Sequence, residues 1–170
     1  DGLAFNEGAV ATISVQGNDP DDDALSYSWK YISGPSITIE NANTSECHFT
    51  APDVSEDTPI TLEVTAIDSD GALTRKEVII TILNLPDQMT TIDAKPFNKK
   101  VVLSWGAISN ATRYDICYSS QPVPENVLED TCIASGAQWA STTNTSITLV
   151  DLINGTPYYF RTFGINDHGT

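Results

Sequence analysis

The chain has 170 residues, which is enough for one large domain or two small ones. Its formal net charge of −15 argues against nucleic acid and anionic membrane as partners, because no basic face is available to displace counterions. Cations are more natural partners, although solubility alone accounts for most of the charge. No apolar run reaches transmembrane length, so membrane insertion is not expected in this segment.

Short strands bounded by turn residues are predicted along the whole chain, because Thr, Ser, Val and Ile are plentiful and strong helix formers are few. In the first half, the predicted strands are VATISVQG (10–17), LSYSWKYI (25–32), SITIE (36–40), ITLEVTAI (60–67) and EVIITIL (77–83). Clusters of Gly, Pro, Asn and Asp separate them. The pattern therefore favours a fold without long helices.

The second half has the same pattern. Its predicted strands are VVLSW (101–105), RYDICYS (113–119), DTCIAS (130–135), SITLVDL (146–152) and YYFRTFGI (158–165). Many short strands at a spacing of roughly ten residues are typical of sandwiches. The sequence therefore predicts an all-β fold of two tandem immunoglobulin-like β-sandwiches.

A domain boundary is predicted within LNLPDQM (83–89). Pro86 cannot donate to a strand ladder and restricts the residue before it, so a strand should end there. The charge balance also changes: residues 1–86 hold fifteen acidic and three basic residues (15 − 3, net −12), and residues 87–170 hold eight and five (8 − 5, net −3). We predict domains at residues 1–85 and 86–170, with a semi-rigid joint at the proline.

The first half resembles the PKD-like immunoglobulin domains of extracellular proteins over nearly its whole length. The resemblance rests on DPDDDALSYSW (19–29), SGPSITIENANTSECHFTAPDV (33–54) and LEVTAIDSDGALTRKEVIITI (62–82). Members of that family carry an Asp-Pro-Asp-Gly-Asp turn before a Tyr-x-Trp strand, so Asp22 stands where a glycine is usual. The first strand, ahead of FNEGA, is expected to be missing or shortened.

The second half resembles a bacterial-type fibronectin type III domain. VVLSWGAISNATRYDICYS (101–119) matches its B and C strands, and LVDLINGTPYYFRTFGINDHG (149–169) matches its E–F corner and F strand. The resemblance makes Tyr158 the tyrosine-corner residue, whose hydroxyl closes back on the backbone. The last strand of the sandwich is apparently missing, which would leave an open sheet edge for a neighbouring segment to complete.

Both resemblances imply an extracellular or cell-surface role, and neither implies catalysis. We expect a non-catalytic module pair that acts as a spacer or adhesion region of a bacterial surface or secreted protein. Two alternatives stay open: accessory domains of a secreted hydrolase that bind polysaccharide or protein, and a subunit of an extracellular fibre completed by a neighbour's strand. The expected partners are other domains of the same longer chain, and polysaccharide or another surface protein.

No catalytic residues are predicted, and the protein is not expected to be an enzyme. The sequence has no nucleophile elbow, phosphate loop or His-Glu-x-x-His motif. Its acidic pairs lie on the loops of small sandwiches, where no deep cleft is expected. His48 and His168 fall in different domains without a second His or Cys at ligand spacing, so zinc is not expected.

Two acidic loops form the candidate metal site. In an immunoglobulin sandwich, the loop between strands B and C lies at the same end as the loop between F and G. The carboxylates that would meet there are Asp19, Asp21, Asp22, Asp23, Asp68 and Asp70. Calcium accepts oxygen ligands in irregular loop geometry, so a calcium site formed by Asp19, Asp21, Asp23, Asp68 and Asp70 is one hypothesis. A pair of solvated turns is the other, since Asp also bonds to turn backbones.

Cys117 and Cys132 are predicted to form a disulfide if the protein is exported. In RYDICYS (113–119), the side chain of Cys117 points away from the face that the tyrosines share. A neighbouring strand at DTCIAS (130–135) would place Cys132 opposite it. The alternative is a pair of free thiols in a reducing cell.

Two further side chains have weaker functional hypotheses. Cys47 alternates with Phe49 and is predicted to be a small buried hydrophobe rather than a nucleophile. Trp139 lies in GAQWASTTN (136–144), which has the pattern of a loop or edge strand, and an exposed indole there could stack on a sugar ring. Ordinary packing beneath the loop is the alternative for Trp139.

The calcium hypothesis makes a testable prediction. A ligand that binds only the folded state stabilises it by mass action, so the melting temperature with excess calcium should exceed that with chelator. Thermal denaturation in the two buffers measures the difference. An unchanged melting temperature across millimolar calcium contradicts the site.

Overall fold

The computed structural model describes residues 2–123, residue 132 and residues 137–169. The chain divides into two compact units, Asp1–Asn84 and Leu85–Thr170. Each unit has its own sheets and its own buried core. Within the described residues, no helix has both the length and the apolar character needed to cross a membrane.

The first unit contains two sheets. Its strands are β1 (Leu3–Asn6), β2 (Val10–Ser14), β3 (Ser26–Ser33), β4 (Glu46–Thr50), β5 (Thr58–Ile67) and β6 (Leu73–Leu83). Four of them form one sheet in the order β1-β6-β5-β3, and β2 pairs with β4 in the other. The pairing of β1 with β6 is parallel, and the other pairings are antiparallel.

Alternating apolar residues turn one face of each strand toward the core of the first unit. Ala11 on β2 lies opposite Phe49 on β4, and both are fully buried. Leu62 on β5 and Ile80 on β6 are fully buried from the other sheet. Because these side chains form one contiguous cluster, the two sheets pack face to face as a sandwich.

The first strand of this unit is short but present, although the sequence predicts that it is missing or shortened. Strand β1 has four residues, from Leu3 opposite Ile80 to Asn6 opposite Leu83. Its Phe5 packs against the core. The first and last strands of the unit are therefore hydrogen-bonded neighbours that run in the same direction.

The strand predicted over residues 36–40 is wrong. Only Glu40 makes a ladder contact there, a single antiparallel bridge to β4. Asn41 has a φ of 55°, so the chain turns away directly after Glu40. Ile37 and Ile39 still pack against the core, which explains why the segment alternates like a strand.

Gly34 follows β3 at a point where two backbone segments nearly touch. Its φ is 112°, and a Cβ atom there would lie 2.6 Å from the carbonyl oxygen of Pro59 and 3.0 Å from the Cα atom of Ile60. The position therefore needs a residue without a side chain for two separate reasons.

The second unit also contains two sheets within the described residues. Its strands are β7 (Ile92–Phe97), β8 (Lys100–Trp105), β9 (Arg113–Ser119), β10 (Gln138–Thr142), β11 (Ser146–Leu149) and β12 (Tyr159–Ile165). One sheet has the order β11-β8-β7 and the other has the order β10-β9-β12. All of these pairings are antiparallel.

An aromatic pair lies in the core of the second unit. The rings of Trp105 on β8 and Tyr114 on β9 meet edge to face, with centroids 5.4 Å apart and an interplanar angle of 64°. Leu103, Ile116 and Leu149 complete a cluster that draws on both sheets. The predicted all-β fold of two immunoglobulin-like β-sandwiches is therefore confirmed.

Some strands of the second unit match those predicted from the sequence, and others do not. Strand β9 has its predicted bounds of 113–119. Strand β7 is present in the structure but is not predicted from the sequence. Strand β10 contains Trp139, which the sequence places in a loop or an edge strand. The strand predicted over residues 130–135 lies outside the described residues apart from Cys132, whose backbone is helical.

Gly34→Ala is expected to lower the free energy of unfolding by roughly 1–3 kcal/mol more than Gly71→Ala. Both glycines have positive φ values, 112° and 88°, but nothing lies within 4 Å of a Cβ atom built at Gly71. Gly71→Ala thus measures the backbone strain alone, while Gly34→Ala adds a clash with backbone that cannot move cheaply. Urea denaturation of both variants measures the difference, and equal losses would contradict the close approach at Gly34.

Candidate functional surfaces

Each acidic turn of the first unit is held together by its own first aspartate. The Oδ1 atom of Asp19 accepts hydrogen bonds from the backbone amides of Asp21, at 2.9 Å, and Asp23, at 3.3 Å. In the turn between β5 and β6, the Oδ1 atom of Asp68 accepts from the amides of Asp70, at 3.0 Å, and Ala72, at 2.8 Å. Both loops therefore use a carboxylate to organise their backbone.

Asp22 takes the left-handed backbone conformation, with a φ of 61°. Glycine adopts this conformation without strain, and Asp and Asn tolerate it better than most residues. Asp22, where the resemblance predicts a glycine, therefore keeps a positive φ. The replacement adds a further exposed carboxylate to a turn that is already acidic.

The described residues contain no group of three or more His, Cys, Asp or Glu side chains arranged to hold a metal ion. The calcium ligands predicted from the sequence, Asp19, Asp21, Asp23, Asp68 and Asp70, lie in the two turns described above. Two of them already accept backbone hydrogen bonds. The calcium site stays a prediction.

The two histidines lie in separate units. The Nε2 atom of His48 on β4 is 3.0 Å from the Oε2 atom of Glu40, and its Nδ1 atom is 3.5 Å from the side-chain Nδ2 atom of Asn41. His168 belongs to a turn of the second unit, where its backbone amide donates to the side chain of Asn166. His48 therefore joins the loop before β4 to the strand itself.

Cys47 is fully buried in the core of the first unit as a free thiol, so the prediction of a small buried hydrophobe is confirmed. Removal from water raises the pKa of the Cys47 thiol to about 11. Since the thiolate is the nucleophile, a thiol with this pKa and no access to solvent does not support covalent chemistry.

Cys117 and Cys132 form a disulfide in the second unit, as the sequence predicts. Their Cα atoms are 6.4 Å apart, and both residues are fully buried. Cys117 lies on the outward face of β9, opposite Trp139 of β10. The bond therefore ties Cys132 to the outer face of this sheet.

A small apolar cluster surrounds the disulfide and includes Trp139. The Trp139 ring stacks on that of Phe163 of β12, with centroids 5.9 Å apart and an interplanar angle of 27°. Trp139 is partly buried, and its Nε1 atom is buried without an acceptor in the described part of the chain. One ring face is thus occupied by Phe163, and a role for Trp139 in ligand contact stays a prediction.

Residues on the outer face of this sheet are buried, which the alternation in RYDICYS does not indicate. Asp115 also lies on this face of β9 and is buried. Its carboxylate accepts two hydrogen bonds from the Arg113 guanidinium, each 3.0 Å long. A paired, doubly hydrogen-bonded carboxylate can be buried at acceptable cost. The pair therefore has a structural role on the outer face of β9.

A groove in the second unit is a feature that sequence patterns alone did not reveal. It has a volume of about 330 Å³ and is lined by β7, by the chain between β11 and β12, and by Phe160. Phe97 and Ile153, which line it, keep 54 % and 69 % of their surface exposed. The ammonium of Lys100 lies 5.5 Å from the centre of the Phe97 ring. The lining of the groove is therefore mixed: apolar side chains stand beside polar ones such as Asn154 and Thr156, and Lys100 carries a charge.

The hydroxyl of Tyr158 closes the loop beside this groove. It accepts a hydrogen bond of 3.2 Å from the backbone amide of Ile153, five residues upstream. The return of this hydroxyl to the backbone, which the sequence predicts, is thus present. Lys99 and Asn154 add a second fastening, because the Asn154 side chain accepts from the Lys99 amide at 2.8 Å.

Comparison with known families and proteins concerns mainly the first unit. Residues 7–82 match the model of a PKD domain family. Over 82 residues, the chain is 35% identical to Chitinase A of Pseudoalteromonas piscicida, a match that covers 48% of this chain and 10% of that protein. The chain therefore spans about one tenth of the length of this curated relative.

Solved structures that match this chain have lower identity. A nucleoside hydrolase-related hypothetical protein from Saccharophagus degradans, associated with carbohydrate metabolism, is 23% identical, with a TM-score of 0.43 over 47% of this chain and 21% of that one. The PKD domain from KIAA 1837 protein is 21% identical, with a TM-score of 0.42 over 49% of this chain and 80% of that one. Tandem Ig repeats of Dlar cover 99% of this chain and 87% of their own, at 15% identity and a TM-score of 0.31.

Reduction of the disulfide is expected to destabilise the second unit by roughly 3 kcal/mol, the value for a closed loop of about fifteen residues. Chemical denaturation with and without a thiol reductant measures this loss. Cys47→Ala should keep the full effect of the reductant, whereas the double variant Cys117→Ala/Cys132→Ala should show none. An equal response to reductant in both variants would contradict a stabilising disulfide.

Proposed function

We propose that this chain, whose residues 7–82 match the K319L-like, PKD domain family, is a non-catalytic module pair that acts as an extracellular spacer in a larger protein. Its partners would be the other domains of the same longer chain, with polysaccharide or another surface protein as further candidates. The observation that carries the proposal is the parallel pairing of β1 with β6 in the first unit.

Parallel first and last strands suit a unit that transmits tension. Leu3 pairs with Ile80 and Asn6 with Leu83, so force applied at the two ends of the unit pulls the strands past one another. The ladder bonds are then loaded together rather than one after another. The amide of Glu7 adds a further bond, of 3.1 Å, to the carbonyl oxygen of Leu83. Such an arrangement suits a spacer that must keep its length.

The exported location is supported by the disulfide between Cys117 and Cys132. Disulfides persist in oxidising compartments and are rare in the reducing cytosol. A spacer on a bacterial surface or in a secreted protein would fold and remain in such a compartment. The exposed acidic turns of the first unit also favour solubility at high local concentration.

For the second unit we propose a fibronectin type III domain. Two features support this assignment: the sheet orders β11-β8-β7 and β10-β9-β12, and the hydrogen bond from the Ile153 amide to the Tyr158 hydroxyl. Calcium would be a structural ligand of the first unit, bound by carboxylates of the two acidic turns. Catalysis would belong to other domains of the longer protein.

Force spectroscopy of single molecules tests the spacer. Ala4→Pro, in the middle of β1, should lower the force at which the first unit unfolds, because proline disrupts a strand ladder. Gly2→Pro is the matched control, since Gly2 is exposed and precedes the strand. Equal unfolding forces for the two variants, or a low force for the unsubstituted chain, would contradict a tension-bearing role for β1.

A second candidate is an accessory polysaccharide-binding pair, favoured by the identity with part of a chitinase. Retention of the chain on insoluble chitin and cellulose separates this candidate from the spacer. If Trp139 contacts the polymer, Trp139→Ala should abolish retention while the exposed variant Tyr159→Ala keeps it. The spacer proposal expects no retention of the unsubstituted chain on either polymer.

A further inference from the structure

Asn154 is followed by Gly155 in the loop between β11 and β12, and no other asparagine in the sequence precedes a glycine. Both residues are exposed. The carboxamide of an asparagine can be attacked by the backbone nitrogen of the next residue, because the product is a five-membered ring whose atoms are already close together. A glycine leaves that nitrogen unshielded, since it has no side chain. The pair is therefore a candidate for reaction within the chain itself.

The backbone nitrogen of Gly155 is free to react. Within the described residues, its amide donates no hydrogen bond, whereas the amides of Ile153 and Thr156 in the same loop both donate. Nothing lies within 4 Å of a Cβ atom built at Gly155, so this side of the backbone is open to water. The nucleophile needs no rearrangement to become accessible.

The carboxamide of Asn154, by contrast, is held at both ends by the turn between β7 and β8. Its Oδ1 atom accepts from the Lys99 amide at 2.8 Å, and its Nδ2 atom donates to the Oδ1 atom of Asn98 at 2.7 Å. Ring closure requires the side chain to rotate until its Cγ atom is within bonding distance of the Gly155 nitrogen. That rotation breaks both hydrogen bonds, so the closed loop withholds the carboxamide from its nucleophile.

We propose that Asn154 is a conditional modification site. It stays an asparagine while the β7–β8 turn holds it, and it is converted to aspartate and isoaspartate when the loop opens. The proposal does not depend on the spacer function. It rests on the Asn-Gly pair, the free Gly155 amide and the two hydrogen bonds of the carboxamide.

The conversion needs only water as a co-reactant. The Gly155 nitrogen bonds to Cγ of Asn154 and gives up its proton to water, while the bond from Cγ to Nδ2 breaks and the leaving nitrogen takes a proton from water and departs as ammonia. Water then opens the resulting cyclic imide. Opening at Cγ gives aspartate, and opening at the main-chain carbonyl carbon gives isoaspartate, in which the peptide bond runs through Cγ. Nothing is oxidised or reduced, and both products gain one negative charge.

Neither product restores the original contacts. An ionised carboxylate has no proton to donate to Asn98. Isoaspartate also adds a methylene group to the main chain between Ile153 and Tyr158, whose amide-to-hydroxyl bond of 3.2 Å spans this loop. A loop that has opened long enough to react is thus changed permanently, and the converted fraction records how long the loop has been open.

Incubation in native buffer and in urea tests the protection. Asn154 should convert at least about tenfold faster in the unfolded chain, because a group that reacts only in the open state does so in proportion to the population of that state. Digestion and mass spectrometry of the fragment that contains residue 154 measure the conversion. Equal rates in the two buffers would overturn the protection, and an absence of conversion in urea would overturn the site.

Gly155→Ala tests the nucleophile. The comparison is made in urea, where the fold plays no part and the strain of a side chain at this position is irrelevant. The variant should lose most of the conversion, because a side chain shields the backbone nitrogen. A rate equal to that of the unsubstituted chain would contradict attack by the nitrogen of residue 155.

Asn98→Ala tests the restraint. It removes the acceptor for Nδ2 and should speed the conversion in native buffer by roughly fivefold, the factor for one net hydrogen bond of about 1 kcal/mol. Asn144→Ala is the matched control, since Asn144 is an exposed asparagine in the turn between β10 and β11. Both variants should convert Asn154 equally fast in urea. Equal rates in native buffer would overturn the protective role of Asn98.

The isolated products test whether the change is permanent. Ion exchange separates the converted chains by their additional charge, and each is returned to native buffer. The Lys99 amide should exchange with solvent roughly fivefold faster in the isoaspartate form than in Asn154→Asp, which keeps an oxygen at the original distance along the side chain. Equal exchange in the two forms would contradict the loss of the original closure.

Discussion

Burial of one face of every core strand between two sheets is the constraint on which both units depend. Phe49 and Leu62, on facing sheets of the first unit, belong to one buried cluster, and Leu103 and Ile116 belong to one in the second, each without solvent contact. Each such side chain contributes roughly 1.5–3 kcal/mol by leaving water. Because apolar side chains fill the interior, polar groups that could take part in chemistry lie at the turns and sheet edges.

Aromatic side chains of the two units also hold loops in place through hydrogen bonds. The Tyr27 hydroxyl accepts from the Gly17 amide at 3.1 Å, and the Trp29 indole donates to the Thr44 carbonyl at 2.9 Å. In the second unit, Tyr114 and Tyr158 accept from loop amides in the same way. Each ring lies against its sheet while its polar atom holds a loop. These neutral bonds position the loops despite the acidic charge of the chain.

Alternation along the sequence was sufficient to predict the sandwiches and the outward direction of Cys117, because a strand has only two faces. It failed where a residue's surroundings come from distant chain. Residues 36–40 alternate because Ile37 and Ile39 reach the core, yet the turn at Asn41 prevents a ladder. Neither the burial of Asp115 nor the groove beside β7 leaves a local pattern in the sequence. Asp22, by contrast, shows that a glycine position can be filled by a residue that tolerates its backbone.

The link between Cys117 and Cys132 has a consequence for how far an unfolded second unit can extend. The two cysteines are 15 residues apart in sequence but held with Cα atoms at 6.4 Å. At about 3.5 Å per residue, the enclosed segment corresponds to roughly 50 Å of contour that an oxidised chain withholds under load. Reduction of the disulfide would release this length of chain. The redox state of the surroundings thus sets the reach of the molecule after its sheets have come apart.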